Sequence, residues 1–543
     1  MSTPTPSTRH RVRGEELKTM ASADGSALRV RARSWADFVR APEGHAALLG
    51  VLGAVLITFG GFGAGSVRRE DPLLEALFLS WLRFGHGQWI STVLVWGGVI
   101  AMITAWVRLG RRTIAGDVSV RCLIGVCAAW VTPLLVAVPM FSRDAYSYLA
   151  QGALLRDGFD PYAVGPVVNP GLLLDNVSNV WTTTTAPYGP LFLLIAQGIT
   201  MISGDNVVVG TLLLRLVMLP GLVLTLWAVP RLARYLGGSA SVAVWLAVLN
   251  PLVLVHLIGG VHNEVLMVGL MTAGLVLALE RKHLAGIALV SAGVAVKATA
   301  GAALPFIVWI WMAHRRKQAA EEGKPPPNPF TSFVRTAGAG AGLFVAIFGA
   351  VSFAAGVGLG WMTALSGSAK IINWLSLPTI LAHIVTVGTS WFADLRLTEV
   401  LGVTRTICGA AMVAIAIAAW WRFRRTERDA VLGTLVVLVA IVVLSPAALP
   451  WYYSWPLAIA ACFPLGARTL TVLVGLSTWL MLVFNPDGSI GLYNLAHVAV
   501  ATLVALVAAR SLYTIDPLRL RSQRPPGGDA VSASGERPPV GAA

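Results

Sequence analysis

Long apolar stretches separated by short polar clusters repeat from about residue 44 to residue 511. A run of about 18 or more apolar residues, coiled as a helix, covers the roughly 30 Å hydrocarbon layer of a bilayer. A helix also satisfies its own backbone groups in lipid, so the pattern predicts an all-α polytopic bundle. Candidate transmembrane helices, about fourteen in all, run over 44–66, 89–107, 119–140, 207–229, 239–258, 262–280, 284–297, 300–312, 334–357, 399–421, 430–447, 452–466, 468–485 and 491–511. Two shorter apolar pieces, 190–203 and 371–388, remain. The pair 284–297 and 300–312 is short for two crossings and holds Lys297 and Gly301. A broken helix of this kind is tolerated where it faces protein or an aqueous cavity.

Composition sharpens this picture. Of 543 residues, 56% are hydrophobic and only 12% charged, with a mean hydropathy of +0.72, which excludes a soluble globular protein. The formal charge of +15 is read as membrane topology rather than as nucleic-acid binding, because Lys and Arg sit in short loops and in the tails. With the N-terminus inside, the basic clusters at 108–112, 231–234, 281–282, 315–317 and 422–428 all fall inside, as does the tail from Arg519. Only Arg68 and Arg69 break the rule, and Glu70 and Asp71 follow them directly. The expected organisation is a basic cytoplasmic tail (1–43), a transmembrane domain (44–513) and a disordered cytoplasmic tail (514–543). Within the domain, 141–206 and 358–398 are large extracytoplasmic loops. The first apolar run starts too far in, and is too poorly flanked, for a cleaved signal peptide. Cys122, Cys127, Cys408 and Cys462 lie in apolar runs without metal-ligand spacing and read as packing residues.

The residues that carry chemistry collect in the expected outer loops. In 142-SRDAYSYLAQG-152, helical spacing puts Asp144, Tyr148 and Gln151 on one face, opposite Tyr146, Leu149, Ala150 and Ala153. That predicts a helix at the membrane surface whose carboxylate faces an aqueous cleft, where it can take a hydroxyl proton. Alternatively Asp144 caps the helix or pairs with Arg143. Further on, 159-FDPYAVGP-166 and 186-APYGPLF-192 combine tight turns with tyrosines suited to an interfacial belt. His262, Asn263 and Glu264 stand at the outer end of a span. An ionisable residue there is a candidate for function, although the helix dipole alone would favour Glu264. No second ligand lies at i+4 from His262, so no metal site is expected. Lys297 is costly between apolar halves unless it snorkels or meets an anion, and a lipid phosphate would suit it. Arg215, inside 207–229, raises the same question. Trp451, Tyr452, Tyr453 and Trp455 can stack on sugars or form a belt, and the belt is the reading we favour.

Taken together, SRDAYSYLAQG at 142–152, GFDPYAVGP at 158–166, PYGPL at 187–191, GGVHNEVLMVGL at 259–270, NWLSLPT at 373–379 and PWYYSW at 450–455 resemble one family. This is the family of actinobacterial polyprenol-phosphate-mannose-dependent α-1,6-mannosyltransferases of the glycosyltransferase C superfamily. The resemblance covers about 45–511. It implies a polytopic enzyme of the plasma membrane with its active site on the extracytoplasmic face. It further implies a polyprenyl-phosphate-mannose donor and a phosphatidylinositol-mannoside or mannan glycolipid acceptor, on the route to lipomannan and lipoarabinomannan. The superfamily's acidic residue in an early outer loop carries over onto Asp144, although here that loop follows the third expected span and Arg143 replaces a second acid. On this reading Asp144 is the catalytic base and Arg143 and Lys297 meet the phosphate. Glu264 orients the acceptor, and Tyr148, His262, Asn263, Trp451 and Tyr452 complete the substrate site. No cofactor is expected, and divalent metal dependence is not legible. The long basic N-terminal tail favours the early-acting, B-type member over the A-type. The competing readings are a sister transferase using another prenyl-phosphate sugar, such as an arabinosyl donor, and a lipid flippase or transporter. The latter would show paired ionisable residues deep in several spans.

Overall fold

The computed structural model describes residues 39–515 and residue 517. The basic tail before residue 39 and nearly all of the C-terminal tail lie outside the described residues. The described chain is helical. Its longer helices are α1 (Pro42–Ala64), α2 (Gly85–Ile114), α3 (Val120–Leu134), α4 (Asp144–Arg156), α5 (Pro190–Ser203) and α6 (Val207–Leu236). Next come α7 (Ala240–Ala247), α8 (Glu264–Leu279), α9 (His283–Val296), α10 (Leu304–Glu321), α11 (Pro329–Ala354) and α12 (Leu377–Thr389). The remainder are α13 (Leu397–Arg422), α14 (Glu427–Leu444), α15 (Ser454–Ala460), α16 (Ala467–Leu482) and α17 (Leu495–Ser511). Every expected span contains helix, and so do the two leftover apolar pieces, as α5 and α12. Length is where expectation and structure differ. Among the described residues five helices (α1, α2, α6, α11 and α13) are long and apolar enough to cross a membrane, or six if the bent pair 240–259 counts as one span. Helices such as α8, α9 and α16, of 14–16 residues, rise only about 21–24 Å at 1.5 Å per residue. Short turns and loops buried in protein break up the rest of those apolar runs.

The bent pair shows how such a break is stabilised. Pro251 disfavours helix at Asn250, whose side chain instead accepts from Leu252 N–H (3.1 Å) and starts a new turn. The new segment leaves α7 at 45° and ends in a π-helical turn at Leu254–Gly259. Buried Arg215 closes that end by donating to the carbonyls of Ile258 (2.9 Å), Gly259 (3.1 Å) and Leu135 (2.7 Å). This answers the question Arg215 raised: it serves orphan carbonyls at a helix end.

The Arg68 exception also resolves locally. Arg68 is buried, and Asp71 takes both Arg68 (2.8 Å) and Arg83 (3.1 Å). One carboxylate thus serves two guanidiniums and holds Arg68 inside the protein. Helix–helix contacts rely on small residues, as expected where lipid supplies no hydrophobic drive between helices. Gly221 of α6 and Gly269 of α8 meet so closely that a Cβ on either would lie 2.2–2.4 Å from the facing backbone. The cysteines are free, and Cys127, Cys408 and Cys462 are buried.

Candidate active site

Three chain segments converge at one end of the bundle. Met140 and Phe141 lead into α4, Gly259–Asn263 lead into α8, and residues 485–491 close over both. Backbone bonds tie them, from Met140 N–H to Gly259 O (3.2 Å) and from Phe141 N–H to Pro486 O (2.8 Å). Phe141 (φ 61°) and Val261 (φ 60°) both adopt left-handed backbone, a costly conformation for such residues that persists only where the surroundings impose it. These turns aim Asp144 and the His262–Glu264 segment at each other.

The side chains meet there. His262 Nδ1 stands 3.5 Å from Asp144 Oδ2 and 3.9 Å from Glu264 Oε2. Glu264 is fully buried and pairs with Lys297, which sits where α9 ends. Lys297 Nζ also lies over the rings of Tyr452 (4.5 Å), Trp455 (5.2 Å) and Tyr188 (5.8 Å), so its charge is held by cation–π contacts as well as by the carboxylate. His262 stacks on Trp451 with ring centroids 3.9 Å apart. Asp144, in the segment between spans, has its carboxyl pushed up to about 6, first by burial and then by the Glu264 charge. Lys297 and hydrogen bonds from Ser142 and Trp181 pull the other way. Such a group is mostly ionised at neutral pH yet basic enough to accept a proton.

Asp144 and Lys297 open onto a cavity of about 390 Å³, a size suited to a small-molecule site. Its lining includes Asp144, Ser147, Gln151, Thr184 and Lys297 together with apolar Met412 of α13 and Ile441 of α14. The segment with NWLSLPT supports one edge: Asn373 donates to Ala448 O (2.9 Å) and Ser376 to Ser445 O (2.9 Å), which fixes the PWYYSW turn.

Of the residues singled out by sequence, Asp144, Lys297 and Tyr452 line the cavity, while His262 and Glu264 stand directly behind Asp144 and Lys297. Asn263 is fully buried beside them. Arg143 is placed elsewhere. Its guanidinium donates to Asn176 O (3.0 Å) and Val67 O (3.1 Å), so it joins loops instead of facing the cavity. The alternatives for Asp144 fare no better, because Arg143 is thus engaged away from it and Asp144 offers Ser142 Oγ its backbone N–H (3.1 Å). Tyr148 turns into an aromatic cluster with Tyr188 and Phe192 (5.1 and 4.9 Å). The surface-helix expectation is corrected too: residues 144–154 of α4 are buried on all sides except Asp144's cavity face. Trp451 and Trp455 are buried, not interfacial, so the belt expectation fails for them. Tyr162 is buried as well and donates to Tyr188 O (2.8 Å).

Sequence reasoning passed over Ser147 and Thr184, and gave Gln151 no role. Ser147 Oγ and Gln151 Oε1 are buried without a protein partner and face the cavity. Lys370 donates to Thr184 Oγ1 (3.0 Å) and brings a second cation to the rim. Among the described residues no group of three or more His, Cys, Asp or Glu is arranged to hold a metal ion, and the Lys297 ammonium occupies the Glu264 side.

Comparison with known proteins identifies the family. Residues 47–313 match a family model described as the N-terminal domain of alpha-(1->6)-mannopyranosyltransferase, and residues 378–514 match one described as the MptB C-terminal domain. The chain is 53% identical over 478 residues to alpha-(1->6)-mannopyranosyltransferase A of Mycobacterium tuberculosis, covering 88% of this chain and 91% of that protein. It is 39% identical over 484 residues to transferase A of Corynebacterium glutamicum (87% and 99% covered), and 32% identical over 454 residues to transferase B of the same organism (75% and 71%). Identity is thus higher to these relatives named A, while the C-terminal match carries the B name, so the basic tail does not assign the member. No solved structure matches. With both halves matched in order and a relative above half identity along most of its length, the chain belongs to the membrane glycosyltransferase family of the alpha-(1->6)-mannopyranosyltransferases.

Proposed function

We propose that this mannosyltransferase moves mannose from polyprenyl-phosphate-mannose onto the 6-hydroxyl of a mannan glycolipid by an inverting single displacement. The observation that carries this reading is the cavity lining, which combines a carboxylate (Asp144) and a lysine (Lys297) with apolar Met412 of α13 and Ile441 of α14. A lipid-linked sugar phosphate needs both surfaces at once.

The acceptor O6 forms a bond to C1 of the donor mannose while the C1–O bond to phosphate breaks, and its electron pair leaves with the phosphate. Asp144 takes the hydroxyl proton, a contribution typically worth about 10²–10⁴ in rate. Lys297 steadies the departing phosphate, with Lys370 close by at Thr184. Binding the phosphate draws Lys297 charge away from Glu264, which with His262 keeps Asp144 oriented. Tyr452 and Tyr188 offer ring faces to the sugar.

The same reading takes the fold as glycosyltransferase C type with about fourteen crossings, the shorter helices crossing where loops and turns buried in protein complete the path. Both termini are then cytoplasmic, and the site opens on the outer face of the plasma membrane. The test is transfer by membranes that contain only this protein, given labelled polyprenyl-phosphate-mannose and a short α-(1→6)-mannoside. The expected product is one mannose longer and is cut by an α-(1→6)-specific mannosidase. Transfer from a prenyl-phosphate arabinose instead would reassign the sugar, and absence of transfer from either donor would reject the reading.

A further inference from the structure

A second cavity, of about 660 Å³, lies at the opposite end of the bundle. The helix α14 relates the two. Ser445, just past its C-terminus, lines the active cavity, and Arg425, just before its N-terminus, lines the second. Eighteen residues of helix separate them, about 27 Å at 1.5 Å per residue, close to the roughly 30 Å of the hydrocarbon layer. The second cavity therefore sits at the level of the other leaflet's headgroups.

Its walls have two kinds of surface. Trp309, Phe333 and Trp420 form an aromatic floor with ring centroids 4.9–6.0 Å apart, locked by a bond from Trp309 Nε1 to Trp420 O (3.0 Å). Above it stand Arg316, Arg424 and Arg425. Arg316 donates to the backbone carbonyl of Arg425 (3.1 Å), and the Arg424 guanidinium carbon lies over Trp421, 3.5 Å from the ring centroid. None of the three arginines meets a carboxylate among the described residues. The nearby acids are otherwise engaged: Glu427 with His314 (2.9 Å), Glu321 with Arg281 (3.4 Å), and Asp429 with the N-cap Thr426 of its own helix. On the side of α11 and α13, Phe330 and Trp421 are 74% and 58% exposed, as side chains facing acyl chains would be.

Three clustered cations without counter-ions, over an aromatic floor and beside a lipid-facing flank, form a site for a phosphate that carries acyl chains. We propose that this cavity binds the headgroup of an anionic glycerophospholipid of the leaflet opposite the active site. Guanidinium groups match phosphate oxygens in paired hydrogen bonds. The aromatic rings suit the glycerol and upper acyl region, where amphipathic rings concentrate at membrane interfaces. The inference rests on the transferase reading only for α14 as a membrane crossing, and not on its donor, acceptor or chemistry.

The test is native mass spectrometry of the full chain, released from nanodiscs that contain equal amounts of phosphatidylglycerol and phosphatidylcholine. The wild type is expected to retain phosphatidylglycerol over phosphatidylcholine. Each arginine near a membrane surface is worth about 1 kcal/mol toward anionic lipid, so Arg424→Gln should lower the retention ratio roughly fivefold. The triple variant Arg316→Gln/Arg424→Gln/Arg425→Gln should abolish the preference, and Arg424→Lys should keep most of it. Should the triple variant fail to fold, the wild type still decides the matter: raising ionic strength must erode its preference, because the contact is charge-based and opens to solvent. Equal retention of the two lipids by the wild type would overturn the proposal. So would a preference that survives both the arginine substitutions and high salt.

Discussion

Replacing Lys297 by methionine tests the charge arrangement at the site in a way that can be worked through in advance. Lys297 pairs with Glu264, and the side-chain exposures are 12% and 0%. Removing one partner of a buried pair leaves the other charge without compensation, typically at a cost of 3–5 kcal/mol. Lys297→Met alone should therefore destabilise the protein by about that amount, besides weakening donor use. Glu264→Gln removes the stranded carboxylate. The double variant should recover most of the lost stability, which requires a coupling energy of at least about 2–3 kcal/mol, the upper part of the range for contacting groups. The assay is denaturation of the purified protein in detergent for wild type, both single variants and the double variant, followed by donor and acceptor kinetics on whichever variants fold. In the folded double variant the apparent affinity for the lipid-phosphate donor should fall, and that for the acceptor should change little. If the two substitutions simply add in stability, the pairing of Lys297 with Glu264 is wrong; if donor kinetics are normal, Lys297 does not meet the phosphate.

Three other outcomes are expected. Because the Asp144 carboxyl titrates at about 6, kcat/KM should be level above neutral pH and fall roughly tenfold per unit below that value as the base becomes protonated; a flat profile down to pH 5 would remove Asp144 from the role. Gln151→Leu and Ser147→Ala take away buried oxygens that face the cavity, so each should cost about 1–3 kcal/mol in kcat/KM if it bonds a sugar hydroxyl, with stability unchanged or improved; normal kinetics would show that they bind only water. A cysteine at exposed Asn179 should react with a membrane-impermeant thiol reagent in cells stripped of any outer barrier, and labelling only after lysis would invert the topology.

What could be read ahead of the structure follows from what one helix can encode. Apolar runs announce helices wherever they occur, and each expected span does contain one. They do not announce where a helix stops inside protein. The break at Asn250–Pro251 is visible as a proline, but the closing of the following segment at Ile258 and Gly259 depends on Arg215, 43 and 44 residues upstream. Asp144 and Gln151 were correctly placed on one face because seven residues return to within about 20° of the same direction. Tyr148 lies about 40° to one side and Ser147 about 60° to the other. Which flank meets the cavity depends on Tyr188 and Phe192, which no local pattern reveals. Arg143 resembles a phosphate ligand in sequence because sequence shows a charge and not the carbonyls it serves. The aromatic PWYYSW run reads as a belt in sequence because belts and buried clusters share a composition, and only the contacts of Trp451 with His262 and of Tyr452 with Lys297 separate them. The pairing of Lys297 with Glu264 joins positions on either side of an intervening helix hairpin, so it required the tertiary fold.

The central claim is that Asp144 is the base and Glu264 its neighbour, not the reverse. The most direct measurement is mannosyl transfer per folded molecule by Asp144→Asn and Glu264→Gln, side by side with wild type. Asp144→Asn keeps the shape of the side chain and the Ser142 contact of its backbone N–H, so it should insert and fold normally yet lose about 10²–10⁴ in rate. Glu264→Gln should retain measurable transfer. Near-normal transfer by Asp144→Asn together with a dead Glu264→Gln would make Glu264 the base and contradict the account.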